Sequence, residues 1–177
     1  MLQSFEVSRQ SWKRLFLFCL GLAAASAFCM KWMESDLWAN GEKFTILGLE
    51  LSYARQQMVD VFMGMNETVE IILRYHLTFD FAFMMGVYPG IAAACMLAKY
   101  RISSTVLRRV LIALAILQFV AWACDIIENY YLLKWIDSPT LDHFDFFHAV
   151  VYMKWIIAIL AILIAGSTFF MRRAPSK

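Results

Sequence analysis

Charge is what this sequence has least of. Asp, Glu, Lys and Arg make up 17% of its 177 residues, against about 25% in an ordinary soluble domain. So small a supply cannot cover a water-facing surface, while 62% of the chain is hydrophobic and the mean hydropathy is +0.61. The apolar residues are gathered into long runs, which excludes a soluble single-core domain and points to membrane spans. Cysteine is scarce as well. Cys19, Cys29, Cys95 and Cys124 all lie inside apolar runs and no Cys-x-x-Cys occurs, so the spacing does not suit a thiol–disulfide enzyme and reads as buried thiols. No polar segment interleaves Lys and Arg with aromatics, so nucleic acid is not an expected partner. There is no internal repeat and no His-Glu-x-x-His; neither a cofactor nor a dedicated metal is expected.

What remains is an all-α integral membrane protein, a bundle of four transmembrane helices predicted at about residues 12–32, 77–98, 110–133 and 147–171. Ala25-Ser26-Ala27 in the first apolar run also resembles a signal-peptide cleavage site, but the run continues past it, and a retained span is expected. Residues 33–76 form the one sizeable segment outside the spans. Asn40-Gly41 signals a turn; Phe44, Ile46, Leu49 and Leu51 alternate like a short strand; residues 52–63 turn helical, with Gly64 as a stop and Asn66 as the cap of the next helix. The insert is too small for an enzyme domain of its own and is expected to cover the bundle as a lid or to rest on the membrane surface. Pro89 is expected to bend the second span. Trp12, Trp32, Trp38, Trp135, Tyr130 and Tyr131 fall where an interfacial aromatic belt would lie.

Charge then sets orientation. The N-terminus, the loop at 99–109 and the C-terminus hold ten Lys or Arg and one acid, whereas the insert and the loop at 134–146 hold four Lys or Arg and ten acids. By the positive-inside rule both termini are cytoplasmic and the insert faces the periplasm or exterior.

That orientation brings the few ionisable residues of the spans to one depth. Asp125, Glu128 and Asn129 share a helix face through i,i+3 and i,i+4 spacing. Asp80 starts the second span and Lys154 lies one to two turns into the fourth. All fall within roughly 5–12 Å of the outer boundary at 1.5 Å per residue. His76 and His148 are placed at the mouth, and Tyr88 deeper, on a different side of its helix. Asp80, Asp125 and Glu128 sum to −3 when ionised, against +1 from Lys154. A low-dielectric layer tolerates that imbalance only with protonation, a bound cation, or contact with interfacial water.

With Asp80 and Tyr88, Asp125-Ile-Ile-Glu128-Asn129 and Lys154-Trp155 assembled, residues 45–160 resemble small bacterial four-span membrane proteins of no known activity. The resemblance implies the four-span architecture and the same choice of polar residues, and no reaction; a bacterial inner-membrane location is expected. Three functional readings follow. The leading one is a protein whose outer-leaflet pocket binds a lipid headgroup, amphiphile or cation, with Asp80, Tyr88, Asn129, His76 and His148 as binding residues. The second is a membrane-embedded enzyme in which Asp125 or Glu128 is general acid or base and Lys154 stabilises negative charge. The third is an assembly protein in which the cluster is interhelical glue. Membrane lipids are the expected partners. A transporter would need a homodimer, because four spans leave little room for alternating access.

Overall fold

A computed structural model describes residues 8–168. Its elements are α1 (Arg9–Met33), a two-stranded ribbon of β1 (Trp38–Ala39) and β2 (Glu42–Lys43), α2 (Arg55–Gly64), α3 (Glu67–Lys99), α4 (Thr105–Asp137) and α5 (Phe144–Ser167). Helices α1, α3, α4 and α5 are each long and apolar enough to cross a membrane. The expected limits of the fourth span reach Met171, outside the described residues, as do the terminal cations Arg172, Arg173 and Lys177.

Three of the four long helices, α1, α3 and α4, begin where the sequence offers a side-chain cap. Ser8, Asn66 and Ser104 accept from the backbone N–H groups of Ser11, Val69 and Leu107 at 3.1, 3.0 and 3.4 Å, satisfying donors that a first helical turn leaves open. Helices α3 and α4 each have 33 residues, about 50 Å of helix against a hydrocarbon core of about 30 Å. Both are therefore longer than such a core, and Arg74 of α3 pairs with Asp137 of α4 near their paired ends. α3 continues as helix through Pro89.

The four spans run up and down in chain order. Tyr88 and Asp80 of α3 meet Asp125 and Asn129 of α4 in antiparallel register, as Lys154 of α5 meets Asp125. α3 is the central element, in contact with the other three spans, while α1 packs chiefly on α3. That contact depends on small residues. A Cβ on Gly86 would sit 2.6 Å from the Ala23 nitrogen and 2.9 Å from the Cys19 oxygen, and one on Gly90 would sit 3.2 Å from the Cys19 Cβ. Gly86-x-x-x-Gly90 against Cys19-x-x-x-Ala23 is thus a close-approach seam of the kind used between membrane helices, where little hydrophobic force remains to hold helices together. The spans are correspondingly apolar outward: Phe18 is 70% exposed, Phe119 68% and Leu163 63%.

The insert is a lid in packing terms. Leu37, Phe44, Leu49, Met58 and Phe62 are buried with Leu73 and Leu77 of α3, Leu132 and Trp135 of α4 and Phe147 of α5. Asn40 and Gly41, at φ 53° and 79°, make the two-residue turn between β1 and β2 that a right-handed ribbon twist favours. The strand expected over 44–51 is not there. Thr45 instead caps a helical turn, accepting from the Gly48 N–H at 3.0 Å, and Gly48–Ser52 closes as a π-helical turn with Tyr53 N–H donating to the Gly48 carbonyl at 2.8 Å. Burial does not follow a strand's alternation either, since the consecutive residues Gly48, Leu49 and Glu50 are all buried. Trp135, expected in the aromatic belt, is fully buried, whereas Trp32 and Trp38 are exposed. The α4–α5 loop is tied by Asp142, which accepts from Lys134, Trp135 and Thr140; the Lys134 hydrogen bond above all holds its carboxyl down at about 2.

Candidate functional site

The polar side chains converge beneath the lid from four elements: the π-helical turn, α3, α4 and α5. On α4 the i, i+3, i+4 spacing puts Asp125, Glu128 and Asn129 on the buried face, all at 3% exposure or less. Asn129 donates to Asp80 Oδ2 of α3 at 2.7 Å. Tyr88, two turns further along α3, donates its hydroxyl to Asp125 Oδ2 at 2.8 Å. Lys154 of α5 donates to Asp125 Oδ1 at 2.6 Å. Its Nζ is also 2.6 Å from Glu128 Oε2, an ion pair reached off the hydrogen-bond direction, and 3.4 Å from Glu50 Oε2. The Trp155 indole donates to Glu50 Oε2 at 3.1 Å, and the Lys154 ammonium lies 5.7 Å from the centre of that ring.

One ammonium therefore faces three carboxylates, with a fourth, Asp80, tied in through Asn129. Counted as ions they sum to −4 against +1, a larger imbalance than the spans alone suggested, because Glu50 comes from the insert. In a water-poor layer Lys154 is what holds Asp125, Glu128 and Glu50 near one another, and each carboxylate keeps the ammonium from being an unpaired buried charge.

Beside these groups lies a cavity of about 150 Å³ walled by Glu50, Asp80, Asp125, Lys154, Tyr88 and Trp155 at one end, and by Phe83, Val87, Ile159 and Ile162 at the other. Ile159 and Ile162 are 47% and 54% exposed, so the apolar end opens between α3 and α5 on the outside of the bundle. The polar end is closed above by the π-helical turn. The arrangement can take a small polar group from the side while its apolar remainder stays against the helices.

The sequence-derived residues divide. Asp80, Tyr88, Asp125, Glu128, Asn129 and Lys154 are brought together. Tyr88 was expected on a different side of its helix, yet the 37-residue contact with Asp125 puts it in the network, because α4 crosses α3 on the face both residues share. Glu128 sits behind Lys154, not on the cavity wall. The two histidines do not join. His148 packs among Phe144, Phe147 and Tyr152 at ring separations of 4.4, 5.5 and 6.0 Å, and His76 is buried in α3 with neither ring nitrogen hydrogen-bonded. Among the described residues, no three of His, Cys, Asp and Glu are grouped to hold a metal ion.

Two contributors were missed from sequence alone. Glu50 is an acid set between leucines in the apolar stretch Ile46–Leu51, a pattern that can signal a buried carboxylate, but a strand reading of the stretch assigns it no partner. The indole of Trp155 was noticed only as the neighbour of Lys154. Neither a family model, nor a curated protein, nor a solved structure matches the chain.

Proposed function

We propose that this multi-pass membrane protein binds an amphiphile by its polar head, with the head among Glu50, Asp80, Asp125, Lys154 and Trp155 and its chain against Val87, Ile159 and Ile162. The observation that carries this reading is a single cavity whose closed end is ionic and whose open end is apolar and exposed between two spans. The excess of carboxylates over the one ammonium favours a head bearing positive charge, since a cation relieves their repulsion whereas an anion adds to it. The distribution of Lys and Arg supports an orientation with both termini cytoplasmic, which puts the site in the outer leaflet, as in a bacterial inner-membrane protein.

Pure interhelical glue has no need of three carboxylates on a cavity wall. Acid–base chemistry needs a carboxylate free to exchange a proton, whereas Asp125 has both oxygens engaged and Glu128 is shielded by Lys154. Both facts favour binding over the alternatives. The test uses protein in phosphatidylcholine nanodiscs and a long-chain alkylamine bearing a diazirine in its chain, with the matching alkyl sulfate as comparison. The amine is expected to label α3 and α5 near residues 83–87 and 158–162, and Asp80→Asn and Glu50→Gln to lower that labelling at least several-fold. Equal labelling by the sulfate, or indifference to both substitutions, would sink the reading.

A further inference from the structure

At the opposite end of the bundle a second cavity carries the reverse charge. Arg9 and Lys13 of α1 and Arg101, just beyond α3, line about 580 Å³ together with Phe16, Leu17 and Leu97, and among the described residues no acid lines it. α1 starts here, with no acid in its first turn. The N-terminal peptide groups already give that end a positive partial charge, so Arg9 and Lys13 add cations where the helix dipole opposes them. An anion seated between the two helices offsets both the dipole and the side-chain charges.

The cavity also has an apolar extension. Phe16 is shared with a cleft of about 270 Å³ between α1, α3 and α5, whose walls include Cys19, Ala23, Gly86, Ile91 and Ala165 and no ionisable group other than the thiol. The cleft exists because α1 packs on α3 and leaves α5 uncovered on that side. Leu97 to Gly86 is eleven residues of α3, about 16 Å at the helical rise, which matches half of a hydrocarbon core of about 30 Å. The basic cavity and the cleft together therefore span the depth of one acyl chain in one leaflet.

We infer that this end binds an anionic phospholipid, its phosphate between Arg9, Lys13 and Arg101 and one acyl chain laid past Phe16 into the α1–α3–α5 cleft. The inference is independent of the acid-rich site, with which it shares no charged residue. It identifies a lipid that holds α1 against the rest of the bundle, filling the cleft that borders the glycine seam at Cys19, Ala23, Gly86 and Gly90. Basic pockets between spans are suited to such headgroups, each cation near the surface contributing roughly fivefold in affinity.

The test is retention of lipid by the full-length protein extracted from vesicles of mixed phosphatidylglycerol and phosphatidylcholine, read by native mass spectrometry. Phosphatidylglycerol adducts are expected to outnumber phosphatidylcholine adducts on the wild-type protein and to weaken as salt is raised; equal retention overturns the proposal with no variant needed. Removing Arg9, Lys13 and Arg101 together as Gln is expected to reduce the preference roughly a hundredfold, at about fivefold per cation, while Lys31→Gln at the other end of α1 leaves it unchanged. Ala94 also lines the cleft, and Ala94→Trp, which fills it with all three cations intact, is expected to reduce the preference as well. If Ala94→Trp has no effect and inorganic phosphate displaces the lipid, the site is a simple anion site and the lipid assignment is wrong.

Discussion

Lys154 illustrates how a single side chain sets the state of several others. Among the described residues it is the one cation within reach of Asp125, Glu128 and Glu50, so deleting its charge leaves three carboxylates facing one another out of water. Removing one partner of a buried ion pair costs about 3–5 kcal/mol, and Lys154→Met is expected to fall in that range, measured by thermal unfolding in detergent. Asp125→Asn keeps groups that can meet Tyr88 and Lys154 and is expected to be much milder. The double variant should be more stable than the sum of the two predicts, by about 0.5–3 kcal/mol, as for residues in one network. Strict additivity would mean that Lys154 and Asp125 do not act as a pair. The residues found from sequence, Asp125, Glu128 and Asn129, are those for which one helix supplies the whole pattern. Glu50 could not be found this way, because its partners are 75 or more residues away and its own segment gives no periodic signal.

Among the elements, α3 carries the architecture: its one face holds Asp80 and Tyr88 for α4, and another holds Gly86 and Gly90 for α1. The glycine seam permits a graded prediction. Gly86→Ala pushes a methyl into the α1 backbone, which cannot retreat without moving the helix, and is expected to destabilise by about 1–3 kcal/mol, the usual range for overpacking. Gly90→Ala meets only the Cys19 side chain and should cost less. Gly21→Ala, with nothing within 4 Å, should be neutral. Thermal unfolding of the three variants checks the order; equal effects would show that α1 is not held by close approach to α3. The existence of four helices long and apolar enough to cross a membrane was legible because apolar runs of this length have few alternatives. The seam was not, since Gly86-Val-Tyr-Pro-Gly90 also reads as a hinge around a proline, and only the packed partner distinguishes a contact from a bend.

For the whole molecule the governing quantity is the asymmetry of charge between the two ends of the bundle. With the native cysteines replaced, Ser35→Cys in the exposed turn after α1 is expected to react with a membrane-impermeant maleimide in intact cells. Ser103→Cys, in the α3–α4 loop, should react only after the membrane is opened. The reverse pattern would turn the protein over and move the acid-rich cavity to the inner leaflet. Length, hydropathy and the placement of Lys and Arg were enough to determine that this chain forms four apolar helices and to predict their direction, because the cost of putting backbone or charge in hydrocarbon acts on each segment separately. Tertiary structure alone decided that an acid from the insert completes the site, that the histidines stay out of it, and that α1 leaves an apolar cleft beside α5. Those outcomes depend on which faces meet when separate helices pack, and no single segment contains that information.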